Sequence, residues 1–208
     1  MTEADDRFFA RKTPRQARSR ALVDAVIAAA SRILPERGPE DLTTHHIAER
    51  AGVSIGSLYQ YFPTKESIVG ALIDRKLESD VAQARRWIDE LEGPVATWIE
   101  RMTERVVAMH RDAGPLYRSI LPVVARMRRH RKVRGAVAEV REALRARVAE
   151  RGDELRKDDL EIPIFLAGHA IEACVHAAVD ERPELLDDPR FTRELTDLVQ
   201  RYLLRDPR

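Results

Sequence analysis

Apolar residues recur three and four residues apart near the start of the chain. The positions are Leu22, Val26, Ala29, Ala30 and Ile33. This spacing places them on one face of a helix. Pro14 suits a first helical turn, and Gly38 with Pro39 ends the segment. We therefore predict a first helix from Pro14 to Glu36.

The same periodicity continues between glycine and proline breaks. It predicts further helices over 44–51, 55–61, 64–91, 95–111, a short segment ending at 121, 122–150, 162–179 and 190–204. A polar loop is predicted over 152–159. Since the alternating pattern of a strand is missing, we predict an all-α protein of about nine or ten helices.

Charge is distributed unevenly along the chain. The formal net charge of all 208 residues is only +1. From Arg7 to Lys65, however, ten Lys and Arg residues face five acidic ones, a local surplus of five positive charges. Nucleic-acid binding therefore has to be argued from the N-terminal third and not from the whole chain.

Several functional classes lack their sequence signals. A single cysteine, Cys174, allows neither an intrachain disulfide nor a cysteine-rich zinc cluster, and it is expected to be a small core residue. No apolar run approaches a membrane span, and the polar start is unlike a signal peptide. Motifs of hydrolases, phosphate loops, zinc proteases and dinucleotide binding are missing. We predict a cytoplasmic protein that is not an enzyme, uses no cofactor or metal, and does not bind a membrane.

The segment from residue 42 to 66 predicts two short helices joined by a tight turn. Gly52 lies in the turn, where it lets the helices meet at a steep angle, and Val53 can fill the corner. Thr43 or Thr44 can cap the first of these helices, and Ser54 the second. Four residues can face inward: Ile47, Ala48, Leu58 and Phe62. Four others are left outward: Gly56, Ser57, Tyr59 and Gln60. Small and hydrogen-bonding residues on the second helix suit the DNA major groove.

This stretch resembles the DNA-binding signature of the TetR family of bacterial regulators. The matching positions are Thr43–Thr44, Ile47–Ala48, Ala51–Ser54, Gly56, Leu58–Tyr59, Tyr61–Phe62 and Lys65–Glu66. The resemblance implies an N-terminal three-helix helix-turn-helix domain and a larger helical-bundle domain that binds an effector and dimerises. We accordingly expect a flexible arm over residues 1–13, a DNA-binding domain over 14–63, and a regulatory domain over 64–208.

The resemblance also implies roles for single residues. Ser54–Tyr61 would be the recognition helix, with phosphate contacts from Thr44, Tyr59, Tyr61 and Lys65 and base-edge contacts from Ile55, Ser57 and Gln60. His45 and His46 would touch phosphate or solvent. The candidate DNA-binding residues are Arg15, Arg18, Thr43, Thr44, His45, Ser54, Ile55, Gly56, Ser57, Tyr59, Gln60, Tyr61 and Lys65.

A basic arm precedes the motif. Its charges are Arg11, Lys12, Arg15, Arg18 and Arg20. Such residues can bind phosphates or enter a minor groove, or they can form a solvated tail. Next to a helix-turn-helix we favour DNA contact.

The larger domain carries candidate ligand-binding residues. Trp98, Met102, Met109, Tyr117, Met127 and His169 could line a pocket for a hydrophobic small-molecule effector, or could belong to the core. The basic run Arg126–Arg134 could bind an anionic effector or be a solvated helix face, which we favour. His169, Glu172 and His176 share a helical face that could hold a metal, but a polar patch is the favoured interpretation.

The last two helices are candidates for dimerisation. The resemblance implies that they pair with their copies across a two-fold axis, whereas the alternative is packing within one chain. The candidate interface residues are Ile171, Cys174, Val175, Ala178, Leu195, Leu198, Val199 and Tyr202. Two-fold dimers match palindromic half-sites.

These expectations combine into one functional hypothesis. The chain is predicted to be a repressor that binds a near-palindromic double-stranded operator as a homodimer and is released by a small-molecule effector. The alternative is an architectural or cell-division DNA-binding protein that uses the same fold without an effector.

Overall fold

The computed structural model describes residues 16–127, 131–156 and 158–205, with the backbone alone at 121, 122, 124–127, 131–134 and 136. Within these ranges the chain is all-α, which confirms the predicted fold class. The helices are α1 (Ala17–Arg37), α2 (Thr44–Ala51), α3 (Ile55–Tyr59), α4 (Lys65–Asp89), α5 (Val95–Asp112), α6 (Gly114–Met127), α7 (Arg131–Ala149), α8 (Glu161–Glu181) and α9 (Pro189–Leu203). Two 3-10 turns, Gly152–Glu154 and Pro183–Asp187, complete the described secondary structure.

One predicted helix boundary is wrong. A new helix was expected to begin at Pro122, but α6 continues to Met127 and α7 begins at Arg131. A proline inside a helix removes one backbone hydrogen bond and costs about 3 kcal/mol. Burial of Leu116, Ile120 and Val123 against the core offsets that cost along both halves of α6.

The chain divides into two compact units. The first contains the described residues up to Ser79 together with those from Pro115 to Val133, and the second contains the rest. The boundary therefore falls within α4 and not at residues 63 and 64. The assignment of a DNA-binding role to residues 14–63 and a regulatory role to residues 64–208 stays a prediction.

The core of the first unit joins α1 to the helix-turn-helix. Its largest fully buried side chains are Leu34, Leu42, Ile47, Leu58, Phe62, Ile68 and Ile120. Ile47, Ala48, Leu58 and Phe62 all belong to this core, as the sequence predicted. Because short helices are marginal on their own, this burial holds α2 and α3 in place.

The second unit is built around Trp98, which is 1% exposed. The guanidinium groups of Arg147 and Arg151 lie 5.2 and 5.7 Å from the centre of its ring. The Val95 N–H at the start of α5 donates to the Glu154 carboxylate over 2.8 Å. These contacts place the α7–α8 connection against the first turn of α5.

The segment 152–159 is more ordered than the polar loop that the sequence predicts. Leu155 is fully buried. The Arg156 N–H donates to the Leu203 carbonyl over 2.9 Å, and the Arg205 N–H donates to the Glu154 carbonyl over 3.0 Å. These two backbone bonds fasten the chain on either side of Leu155 to the end of α9.

The length and composition of α8 differ from the expectation that no apolar run approaches a membrane span. Its 21 residues are long and apolar enough to cross a membrane by length and composition, although no such run was expected. Its apolar character comes from five alanines together with larger residues such as Ile164, Phe165 and Leu166. A third of its most apolar window is buried inside the protein, and core helices of water-soluble proteins pass the same test.

Candidate nucleic-acid interface

Local hydrogen bonds define the turn between α2 and α3. Thr43 is the residue that caps α2, because its side chain accepts a hydrogen bond from the His46 N–H over 3.2 Å. Gly52 ends α2 in a left-handed conformation with φ 67°, which glycine adopts without a steric penalty. The Val53 N–H then donates to the Ala48 carbonyl over 3.0 Å, as in a glycine-terminated helix end. The sequence fixes this turn locally.

The recognition helix α3 is short. Ser54 caps it by accepting from the Ser57 N–H over 3.1 Å. The helix ends at Tyr59, two residues before its predicted end, although the N–H groups of Tyr61 and Phe62 still donate to the Leu58 carbonyl. Leu58 and Phe62 are fully buried, so the opposite side of α3 is directed outward.

The exposed face of α3 carries Gly56 and Tyr59, and Gln60, the residue that follows the helix, is exposed as well. Tyr59 is 42% exposed. A Cβ atom added to Gly56 would meet nothing within 4 Å, which leaves room for another molecule's backbone. Ser57, also expected outward, is half-buried, and its hydroxyl lies 2.8 Å from that of Ser54.

Ile55 and Tyr61 are less exposed than the residues of that face. Both are half-buried and pack against the core of the first unit. Their side chains therefore present less surface than the resemblance to DNA-contacting positions implies. The contacts of Ile55 with base edges and of Tyr61 with phosphates stay predictions.

Thr44 and Tyr59 form one polar pair across the motif. The Thr44 hydroxyl lies 3.0 Å from the Tyr59 hydroxyl. One hydroxyl donates and the other accepts, so the remaining O–H of the pair can donate to a further acceptor. A phosphate oxygen is such an acceptor. Spacing could not predict this pair, because the two residues are 15 positions apart in different helices.

Lys65 has partners that the sequence analysis missed. Its ammonium donates to the Pro39 carbonyl over 3.1 Å and to the Glu40 carbonyl over 2.9 Å. Backbone carbonyls leave no side-chain signal in a sequence, and these lie 26 and 25 residues away. A charged residue in the motif is thus directed toward the protein's own backbone.

Other charged and polar side chains lie in the helix-turn-helix or precede it in the chain. Arg18 is exposed on the first turn of α1, while Arg15 and the preceding arm lie outside the described residues. An Arg37 N–H lies 3.5 Å from the His46 Nδ1, and Arg50 lies 3.9 Å from the Glu36 carboxylate. His45 is exposed beside them. Arg18 and His45 therefore present polar groups to solvent.

The predicted pocket residues are divided between the two units. Tyr117 belongs to the first unit, where the Lys76 ammonium lies 5.1 Å from the centre of its ring. Trp98 and Met102 belong to the core of the second, with Met109 half-buried. The side chain of Met127 lies outside the described residues. The core interpretation fits Trp98 and Met102, and a ligand pocket stays a prediction.

The two candidate histidines of the second unit, His169 and His176, each lie against another ring. His169 lies with its ring centre 4.1 Å from that of Phe165, and its Nδ1 is 2.8 Å from the Phe165 carbonyl. The ring of His176 lies 5.1 Å from that of His110. Among the described residues, no three His, Cys, Asp or Glu side chains are grouped as metal ligands. The side chains of the basic run Arg126–Arg134 lie outside the described residues.

The candidate dimer residues separate into two sets. Four are buried in their own chain: Val175, Ala178, Leu195 and Val199. These side chains offer little area to a partner, which favours the alternative of packing within the chain for these four, and the dimer interface stays a prediction. Leu198 and Tyr202 are exposed, as is Cys174, which was expected in the core, and Ile171 is half-buried.

Further apolar residues on α8 are exposed that sequence reasoning missed. Ile162, Phe165 and Leu166 are 64%, 42% and 46% exposed. Farther along the helix, Ala173, Cys174 and Ala177 are also exposed. Since α8 is apolar on nearly every side, hydrophobic periodicity could not separate its exposed stripe from its buried one.

Two family patterns match this chain. The one described as "Bacterial regulatory proteins, tetR family" matches residues 26–72. The other, described as "Tetracyclin repressor-like, C-terminal domain", matches residues 94–203, more than half of the chain. The matches include both the helix-turn-helix and the exposed face of α8.

Curated relatives resemble only part of the chain. The nucleoid occlusion factor SlmA of Haemophilus ducreyi is 48% identical over 40 residues, which are 19% of this chain and 20% of that protein. The transcriptional regulator EthR of Mycobacterium tuberculosis is 36% identical over 59 residues, 28% of this chain and 27% of that protein. The chain thus spans about a fifth and about a quarter of the lengths of these two relatives.

Solved structures resemble nearly the whole fold. SmeT, the repressor of a multidrug efflux pump of Stenotrophomonas maltophilia, has a TM-score of 0.67 at 18% identity, covering 88% of this chain and 91% of that one. Its complex with triclosan has a TM-score of 0.63 at 19% identity, covering 89% and 93%. The helix-turn-helix, the all-α fold and the two family patterns agree, and the chain belongs to the TetR family of bacterial DNA-binding transcriptional regulators.

Proposed function

We propose that the chain is a repressor that binds a near-palindromic operator as a homodimer and is released by a small-molecule effector. The observation that carries the proposal is the exposed face of α3. Gly56 and Tyr59 are exposed there, over a buried Leu58, and Gln60 is exposed directly after the helix. A short helix with one anchored side and one small, polar side suits the major groove.

The proposed DNA contacts follow from exposure and hydrogen-bonding capacity. Gln60 can read a base edge, and the Thr44–Tyr59 pair can donate to a phosphate. Arg18 adds a positive charge on α1. Thr43, Ser54 and Ser57 use their hydroxyls within the motif, so they support the contacts through the caps that they form.

The proposed dimer uses the exposed apolar stripe of α8 with Leu198 and Tyr202 of α9. Large contiguous apolar patches on a soluble protein mark interaction surfaces. Small residues such as Ala173 and Ala177 permit close approach of a second helix. A two-fold dimer would present two copies of α3 to successive major grooves.

Release by an effector is the third part of the proposal. A solved structure shows SmeT in complex with triclosan, and this chain has a similar fold. An effector shifts the equilibrium only if it binds the released conformation more tightly than the DNA-bound one. We expect a hydrophobic compound that lowers operator affinity. The predicted cytoplasmic location fits this role.

The direct test is a Tyr59→Ala, Gln60→Ala double variant. Each lost base or phosphate contact costs about 1–3 kcal/mol, so affinity for a duplex that the parent selects from a random pool should fall about a hundredfold or more. Fluorescence anisotropy would measure it. Arg86→Ala, on an exposed site of the second unit, is the control and should bind like the parent. A double variant that binds as tightly as the parent contradicts the proposal.

A second candidate function is an architectural or cell-division DNA-binding protein. The local identity to the nucleoid occlusion factor SlmA favours it. Chromatin immunoprecipitation separates the two. A few sites near promoters support the repressor, and many dispersed sites support the alternative.

A further inference from the structure

Lys65 stands at the first position of α4, with its ammonium against a distant turn. The turn 38–41 joins α1 to α2. The ammonium donates to two consecutive carbonyls of that turn, Pro39 over 3.1 Å and Glu40 over 2.9 Å. The side chain is half-buried. Two of the three donors of this ammonium are therefore used within the protein.

The turn needs such a partner. Two neighbouring carbonyl oxygens that point to one place repel each other electrostatically, and a cation between them removes the repulsion. Pro39 has no N–H with which to form an alternative bond. Gly38 has φ 76°, so the preceding backbone is held in a conformation that other residues rarely adopt. Hydrogen bonds to a charged group are among the stronger ones in proteins.

The position of the turn determines where α2 begins. Leu42 follows the turn and is fully buried, and Thr43 then caps α2. Thr44, the first residue of α2, holds the Tyr59 hydroxyl at 3.0 Å. A displaced turn would carry Thr44 away from Tyr59, although Lys65 touches neither residue in the bonds described.

We propose that Lys65 is a positioning residue of the DNA-binding surface. It fastens the turn 38–41 to the start of α4, and thereby keeps the Thr44 hydroxyl on Tyr59, instead of neutralising a phosphate itself. The inference rests on the proposed DNA-binding function for its consequence, but the fastening itself can be measured without DNA.

The first experiment measures hydrogen exchange in the full chain with Lys65→Met, which keeps the side-chain length and removes the ammonium. Exchange of the α2 amides should be about tenfold faster than in the parent, since a charged hydrogen-bonded contact is lost. Arg18→Met removes the same charge from an exposed site and should leave α2 exchange unchanged. Unchanged exchange in Lys65→Met overturns the proposal.

The second experiment measures the salt dependence of binding to the duplex selected by the parent. A lost phosphate contact lowers the slope of log affinity against log salt by about one. Lys65→Met should bind about tenfold more weakly with an unchanged slope, whereas Arg18→Met should lower the slope. A slope lowered by about one in Lys65→Met, as expected for a phosphate contact, overturns the positioning role.

A double-variant cycle tests the connection to Tyr59. Tyr59→Phe should weaken binding less in the Lys65→Met background than in the parent, because the Thr44–Tyr59 pair is already displaced. General destabilisation would leave the two losses equal at a temperature where every variant is folded, and equal losses contradict the proposal.

Lys65→Arg provides a variant that retains charge. A guanidinium is a good phosphate ligand but a planar fork, larger than the ammonium that fits between adjacent carbonyls. The positioning role predicts weaker binding than in the parent, and parent-like binding with parent-like exchange overturns it. If the parent selects no duplex at all, the proposed function fails, and hydrogen exchange alone decides whether Lys65 fastens the turn.

Discussion

The helix-turn-helix surface and the α8–α9 surface are built on opposite principles. In the first, exposed groups are polar, and short-range bonds hold them: Thr43 to His46 and Ser54 to Ser57 are each three residues apart. In the second, the groups proposed to meet a partner are exposed apolar side chains: Ile162, Phe165 and Leu166 of α8 and Leu198 and Tyr202 of α9. Local hydrogen bonds can thus hold a polar surface in place before any partner binds, whereas an exposed apolar surface would be buried only when a partner binds to it.

The largest expected effects come from two leucines on the same helix. Leu195 is 5% exposed and Leu198 is 53% exposed, three residues apart on α9. Leu195→Ala should lower the free energy of unfolding by about 2–5 kcal/mol, because it opens a cavity in the core. Urea denaturation at fixed protein concentration would measure this.

Leu198→Ala is the matched variant of the pair. It should leave folding of the single chain nearly unchanged and raise the dimer dissociation constant about tenfold, as for an interface residue of moderate importance. Sedimentation or light scattering across a dilution series would measure it. A dimer whose dissociation constant is unchanged by Leu198→Ala, or a chain that is monomeric at every concentration, would contradict the proposed role of Leu198 in the interface.

A smaller effect is expected from a helix cap in the DNA-binding surface. Thr43→Ala removes the acceptor for the His46 N–H and should cost about 1 kcal/mol of stability. Thr43→Ser keeps the hydroxyl and serves as the control. Thermal unfolding measures both. Equal stability of Thr43→Ala and the parent would show that local caps do not hold this surface.

The smallest effect concerns Asp188, the cap of α9. Hydrogen bonds from the Arg190 side chain and then from the Arg190 N–H lower the pKa of Asp188 from its ordinary value to about 2. Because the folded pKa lies below the unfolded one, Asp188 stabilises the fold above about pH 4. That contribution is lost as the pH falls from about 4 toward 2.

Asp188→Asn provides the comparison for this pH dependence. Asparagine keeps a capping oxygen but does not ionise. The stability difference between parent and variant should therefore shrink on acidification below about pH 4. Urea denaturation at several pH values would test it, and a difference that is independent of pH would contradict the assignment.

Prediction from the sequence succeeded where structure is local. The bounds of α2, its ending at Gly52, the Ser54 cap and the buried Leu58 all follow from residues close to each other in the chain. Prediction failed at Pro122, because distant core contacts decide whether a helix continues through a proline. It also failed for Cys174, since an almost uniformly apolar α8 carries no periodicity that distinguishes inside from outside.

Partners that are distant in the chain were missed for a related reason. The carbonyl partners of Lys65 and the pairing of Thr44 with Tyr59 depend on how three segments pack. Side-chain type indicates that a lysine carries charge, but only packing determines whether that charge meets solvent, a nucleic acid or the protein's own backbone.

The backbone bonds between Glu154 and Arg205, and between Arg156 and Leu203, have a consequence for engineering. They hold the two ends of the segment 154–205 next to each other. This segment contains α8, the second 3-10 turn and α9. Because its ends are adjacent, the segment can be replaced by the corresponding segment of a relative without displacing the residues on either side of it. Chimaeras made at these two points would transfer self-association preference while leaving DNA sequence preference with the recipient.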